Sequence, residues 1–222
     1  MHSSSGKTVS VADAADMYPR ALLWWMVARK QPHDTIRFDP VESQLEEARL
    51  LRNAHQDEAL GVVEQAVGVA AHLSEYPRGH LIIAAQLGGF NPQQTLAILQ
   101  RSAKYAASTI PPTQDDLDAL HVWLNQVATQ YRIDGIRSTD SRPTIAEQFV
   151  GPIQALLRKF ESIEWSGEAI NNAIHEVSRE SEQTPKALFA ELYRLILGPS
   201  YGPKIGWLFE SIGKNRVMEL LR

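Results

Sequence analysis

Three times in this chain a residue able to cap a helix stands immediately before a proline: Asp39-Pro40, Asn91-Pro92 and Thr184-Pro185. Such a pair fixes a helix start. The cap accepts an orphan backbone N–H, and proline at the first helical position gives up no bond. Thr113-x-x-Asp116 and Thr144-x-x-Glu147 have the form of capping boxes. Behind these starts the apolar spacing is helical. Leu117, Leu120, Leu124 and Val127 form one stripe, and Ile170, Ile174 and Val177 another. Strand signals are sparse: Thr35 to Phe38 and Tyr131 to Ile136 are the short candidates, and no other Val/Ile-rich alternating run occurs. The pattern predicts an all-α fold of about nine or ten helices of ordinary length. Ile110-Pro111-Pro112 and the polar stretch Arg137 to Pro143 interrupt it and mark candidate boundaries. No internal repeat stands out, although an array of helical hairpins remains compatible with the pattern.

With 222 residues, 44% of them hydrophobic, the chain can bury the core of one large domain or of two small ones. Its net charge of -4 and pI of about 6.0 exclude a strongly basic nucleic-acid binder, so any contact with RNA must come from a local basic patch. The absence of cysteine excludes disulfides, thiolate zinc sites and a cysteine nucleophile, and it suits a reducing compartment. Residues Met1 to Ser10 are polar and contain no signal-peptide core. The apolar run Ala21 to Ala28 is far short of the ~20 residues a membrane span needs. The expectation is a soluble, cytoplasmic protein with no membrane contact.

Catalytic and metal-binding patterns are missing. None of the seven histidines forms an H-x-x-x-H pair, so no metal site is expected. Asp115, Asp116 and Asp118 fall in the first turn of a predicted helix, where acids complement the helix dipole. There is no G-x-S-x-G elbow, no G-x-G-x-x-G and no P-loop.

The tail runs against the bulk charge. Between Thr184 and Arg222 six basic residues (Lys186, Arg194, Lys204, Lys214, Arg216 and Arg222) face three acids (Glu191, Glu210 and Glu219). Such a patch attracts RNA phosphates. Tyr201 and Trp207 flank Lys204, and an aromatic beside a cation can stack an unpaired base and hold its phosphate. Equally, Trp207, Leu208 and Phe209 can be core and the charges a solvated face. Asn171 and His175 lie four apart on one predicted helix and can face the same way. They can read base edges, or His175 can cap or pair locally beside Glu176.

Two segments carry a family likeness. The first is V-A-D-A-A-D-M-Y-P-R-A-L-L-W-W-M-V-A-R-K-Q-P-H-D-T-I-R-F-D-P. The second is the tail: W-S-G-E-A-I-N-N-A-I-H-E-V-S-R-E, then T-P-K-A-L-F-A-E-L-Y-R-L-I-L-G and Y-G-P-K-I-G-W-L-F-E-S-I-G-K-N-R-V-M-E-L-L-R. In this order they resemble the C-terminal portion of class I lysyl-tRNA synthetases. The likeness is strongest over residues 7–40 and 165–222 and thin over 41–75 and 103–145. It aligns Ser3, Ser4 and Ser5 with the S-K-S of the signature K-M-S-K-S loop, which grips ATP phosphates in that family, and Gly6 with the following glycine. Ser4 stands where many class I enzymes keep a lysine, and Lys7 falls one place beyond the usual last lysine. Read alone, the segment equally suits the unstructured start of a chain.

The resemblance implies a division of labour. Residues 1–110 would hold the signature-loop remnant and the stem-contact helices, with Arg29 and Lys30 against the tRNA stem. Residues 111–222 would form an α-helical cage for the anticodon loop, with Trp207, Lys204, Tyr201, Arg194, Asn171, His175, Lys214 and Arg216 as candidate RNA contacts. The stretch Tyr76 to Phe90 would pack. The parent enzyme joins lysine to its tRNA using ATP. Its H-I-G-H motif is absent from these residues, so the chain alone is expected neither to hold ATP or another cofactor nor to aminoacylate. The implied partners are lysine tRNA and the missing catalytic domain, with no DNA. Two rivals are a free-standing synthetase paralogue and a helical protein-interaction module without RNA binding.

Overall fold

The computed structural model of the protein describes residues 11–17, 20–28, 33, 76–126, 128–141 and 143–222. Among them are ten α-helices and no strand. They are α1 Val11–Met17, α2 Arg20–Ala28, α3 Arg78–Leu87, α4 Pro92–Leu99, α5 Gln114–Gln126, α6 Glu147–Ser162, α7 Gly167–Glu180, α8 Pro185–Ile196, α9 Ile205–Ile212 and α10 Lys214–Leu221. Short 3-10 turns follow α4 at Ala103–Tyr105 and interrupt the loops at Thr129–Tyr131 and Thr139–Ser141. The expected all-α class holds. The Asp39-Pro40 start and the candidate strand at Thr35 to Phe38 lie outside the described residues. None of the described helices is long and apolar enough to cross a membrane.

The chain divides into two compact units, one of Met1–Arg78 with Pro112–Thr129 and one of Gly79–Pro111 with Gln130–Arg222. Both are discontinuous in sequence, and Pro111-Pro112 is one of three passages between them. The reason is α5: it packs against α1, which draws residues after 111 into the first unit.

In that first unit Leu117 and Leu124 of the expected stripe are fully buried and Leu120 nearly so, while Val127 lies outside the described residues. Trp25 and Trp123 are completely enclosed. The Arg78 guanidinium lies 4.1 Å over the Trp123 ring, within cation–π range. Trp24 faces the other way and is 55% exposed.

The second unit is built on α6 to α10. Phe149, Ile153, Leu156 and Phe160 of α6 pack with Ile170, Ile174 and Val177 of α7, Leu188, Leu192 and Leu195 of α8, Leu208 and Phe209 of α9, and Val217 and Leu221 of α10. Phe160 sits edge-on to Trp165 and Phe209, with ring centroids 5.3 and 6.3 Å apart. Helices α7 and α9 meet most closely. A Cβ on Gly206 would fall 2.1 Å from the Gly167 carbonyl oxygen, so only glycine allows this approach. The Glu210 carboxylate, buried in α9, accepts from the Gly167 N–H at 3.0 Å and so satisfies an orphan donor at the start of α7.

The caps come partly from the expected residues. Asn91 accepts from the Gln94 N–H, Thr184 from Ala187, and Thr113 from Asp116. Thr144-x-x-Glu147 does not form its capping box. The N-cap is Ala146, whose N–H goes to Glu191 of α8 at 3.0 Å. Arg194 grips that carboxylate at 2.6 and 2.7 Å and donates to the Thr144 carbonyl, so a preset tertiary acceptor displaces the local one. Tyr131 to Ile136 is likewise no strand. The Gln86 side chain donates to the Tyr131 carbonyl and accepts from the Ile133 N–H, which gives this loop the partners a strand would have offered.

Adding one methyl at two helical glycines should have opposite effects. Gly206→Ala must push α9 off the Gly167 backbone and should lose about 1–3 kcal/mol in urea unfolding. Gly151→Ala in α6 meets open space and should gain up to about 1 kcal/mol from helix propensity.

Candidate nucleic-acid interface

The loop Gly198 to Lys204 sets the site. Gly202 lies so close to the Tyr193 ring and the Leu197 side chain that a Cβ would approach both to 2.9 Å. Tyr193 donates its hydroxyl proton to the Pro203 carbonyl, and burial pushes its pKa up to about 12. The loop is thereby folded over Tyr193 and delivers Lys204 to the N-terminus of α9.

Trp207 follows in the first turn. Its neighbours Leu208 and Phe209 are fully buried, but Trp207 itself is half-buried. Its indole lies in a slot between two glycines. A Cβ on Gly167 would come within 2.2 Å of Trp207 Cδ1, and one on Gly79 within 2.8 Å of Cζ3. The Lys204 ammonium stands 4.7 Å over the ring. Beside it opens a cavity of about 540 Å³ lined by Glu168, Asn171, Phe189, Tyr193, Lys204 and Trp207, among others. A volume of this order accepts a molecule the size of a nucleoside. Its walls offer aromatic surface, an amide that donates and accepts, a carboxylate and an ammonium. Those are the groups that stack a splayed base and bind its edge and phosphate.

His80, at the start of α3, closes the far side of the indole. Its ring is edge-on to Trp207 at 3.7 Å between centroids and to Tyr105 at 5.3 Å. Burial, reinforced by the charges of Lys104 and Lys204, lowers its pKa from 6.5 to about 4. It is therefore neutral at pH 7.

The comparisons with known proteins agree on one kind of relative. No protein-family profile matches the chain. A lysine–tRNA ligase of Thermoplasma acidophilum is 23% identical over 233 residues, covering 100% of this chain and 46% of that protein. One from Archaeoglobus fulgidus is 24% identical over 225 residues, covering 100% and 45%. Lysine–tRNA ligase 1 of Methanosarcina acetivorans is 24% identical over 253 residues, covering 100% and 47%. The chain's relatives are lysine–tRNA ligases. It spans a little under half the length of the curated relatives it matches. The likeness read from the N-terminal segment and the tail thus extends over the whole chain.

The candidate contacts fare differently in the structure. Trp207, Lys204 and Asn171 share the cavity. His175, one turn beyond Asn171, is exposed and lies edge-on to Phe189 at 5.2 Å. Tyr201 is 59% exposed on the loop before α9. Three cations have internal work. Arg194 holds Glu191. Lys214 donates to the Glu161 carbonyl at the end of α6. Arg216 pairs with Glu219 and reaches the Arg137 carbonyl. Ser3, Ser4, Ser5, Gly6, Lys7, Arg29 and Lys30 lie outside the described residues. Gly79 and His80, assigned to packing from sequence, shape the site by packing on Trp207. Their distance from the tail along the chain leaves no local signal for this.

The His80 shift has a direction that stability measurements can follow. The unfolded chain takes up a proton near pH 6.5, while folded His80 resists until about pH 4. Its contribution is therefore full above pH 6.5 and is lost as pH falls from 6.5 toward 4. Glu191, held below its ordinary 4.5 mainly by the hydrogen bond from Arg194, loses its contribution only at lower pH. Urea midpoints measured between pH 7.5 and 5 should fall in the parent protein and flatten in His80→Gln and His80→Phe.

Proposed function

We propose that the chain is the tRNA-binding part of a class I lysine–tRNA ligase and that the Trp207 cavity holds an unpaired base of the anticodon loop. The observation that carries the reading is the position of Trp207. In a tail whose Leu208 and Phe209 fill the core, its indole is left half-exposed beside a cavity with an ammonium over its ring. Stacking supplies affinity for a base, Asn171 and Glu168 supply edge contacts, and Lys204 supplies charge. On this reading residues 111–222 supply the anticodon-binding α-helical domain and residues 1–110 the stem-contact helices with the signature-loop remnant, except that Gly79–Pro111 share a compact unit with the cavity and Pro112–Thr129 belong to the other unit. Tyr201, Arg194, His175, Lys214 and Arg216 then serve at the rim or by holding the cage in shape, and Arg29 and Lys30 face the stem.

The 222 residues contain no G-x-G-x-x-G, no P-loop and no H-I-G-H motif. Lysine activation with ATP would belong to the catalytic part of the parent enzyme. This chain would contribute affinity and discrimination, in a soluble protein of the translation apparatus in the cytoplasm.

Binding to lysine tRNA, compared with the same tRNA carrying another anticodon, tests the reading directly. In a fluorescence titration the lysine anticodon should be favoured and the affinity should fall with salt. Trp207→Ala should lose about 1–3 kcal/mol of binding, and Trp207→Phe should recover most of it. Equal binding of both tRNAs would sink the proposal. Collapse of the fold in Trp207→Ala, with full binding kept by Trp207→Phe and by a Lys204→Ala, Asn171→Ala double variant, would return the indole to a structural role.

A further inference from the structure

We propose that Lys104 and Lys204 form a two-point clamp for the phosphodiester backbone of a single RNA strand, which crosses the ring row Tyr105–His80–Trp207 between them. This rests on the RNA-binding reading and adds to it a second contact, Lys104, in a stretch where the family likeness is thin.

The geometry is an ordered row. Lys104 Nζ stands 5.4 Å over the Tyr105 ring. Tyr105 is edge-on to His80 at 5.3 Å, and His80 is edge-on to Trp207 at 3.7 Å. Lys204 Nζ closes the row 4.7 Å over Trp207. Three elements far apart in sequence contribute: the 3-10 turn after α4, the start of α3, and the start of α9. A cation over a ring face within about 6 Å is attracted to it, so both ammonium groups are held near their positions before any ligand arrives.

The two lysines also differ from the cations around them. Arg101 caps the end of α9 through the Ser211 and Ile212 carbonyls. Arg132 pairs with Asp134, and Arg194, Lys214 and Arg216 are engaged as described above. Lys104 and Lys204 have no carboxylate partner among the described residues, and both are exposed. Both charges act on His80 from their two sides and help to keep it neutral. Neither lysine is ion-paired among the described residues, and the two stand at opposite ends of a neutral ring row where an anionic strand can meet both, with Glu168 the carboxylate that shares the cavity with Lys204. Tyr105 is buried and serves as the seat of Lys104, while the half-exposed indole of Trp207 is where a base stacks; that favours a nucleic acid over an acidic peptide, because bases stack and carboxylate side chains do not.

Salt-dependent titration of the full chain with lysine tRNA, and with the same tRNA carrying another anticodon, tests this. Both lysines are exposed, and unfolding midpoints should confirm that their variants fold. Lys104→Ala should reduce the slope of log K against log salt by about one and weaken both tRNAs alike, roughly three- to tenfold near physiological salt. The ratio between the tRNAs should stay unchanged, whereas Trp207→Ala should lower that ratio. Lys104→Glu should weaken binding further. Lys186→Ala, at an exposed cation at the start of α8, controls for general charge and should leave the slope intact. If the parent chain discriminates the tRNAs and Lys104→Ala behaves like Lys186→Ala, the clamp is wrong while the anticodon reading stands. If the parent chain shows neither preference nor slope, the anticodon reading itself fails. If poly-glutamate competes as well as a single-stranded oligonucleotide of equal charge, the strip is a site for acidic protein instead.

Discussion

The contact between the first turns of α7 and α9 governs the second unit. Two glycines bring the backbones together, and the Glu210 carboxylate closes the gap by taking the Gly167 N–H. A carboxylate at a helix N-terminus interacts favourably with the dipole as well as with the donor. The contact fixes where α9 starts, and thus where Trp207 points. The core beneath it, from Phe160 through Phe209 to Val217, is ordinary apolar packing that many sequences could supply. The glycine-to-glycine approach is specific, because it removes the space that would let α9 rotate.

The distribution of charge follows the same economy of position. A chain with net charge -4 is a poor RNA binder in bulk, and its basic tail suggests a broad patch. The structure divides that patch. Arg194 and Arg216 hold carboxylates of their own helices, and with Lys214 they reach carbonyls of neighbouring segments, while Lys204 remains at the cavity. Internal cations of this kind stabilise helix ends and order the scaffold. They are one way a protein can be rich in local positive charge and yet present only a few free ammonium groups.

Much of the fold was legible in the sequence because helix starts and apolar stripes are local properties. Asn91, Thr113 and Thr184 cap the helices their spacing implied, and the Ile170, Ile174 and Val177 stripe is fully buried. The readings that differ involve partners far away in the chain. Thr144 loses its capping role to Glu191, and the Tyr131 to Ile136 segment is held by Gln86. The site divides the same way. Trp207, Lys204 and Asn171 could be picked out from residue type and neighbourhood. Gly79, His80 and Lys104 could not, because they meet Trp207 or its neighbours only after α3 and α4 have docked against α9.

The indole of Trp207 is seated by missing atoms. Its slot exists because Gly79 and Gly167 carry no side chains, and these belong to different helices. A methyl group at either position would tilt the same ring from opposite sides. Mutational effects at residues 79, 167 and 207 are therefore conditional on one another. A substitution at residue 79 that looks damaging beside tryptophan becomes tolerable beside a smaller ring. In a population of related sequences such positions would drift as a set, with no single one of them free to change first.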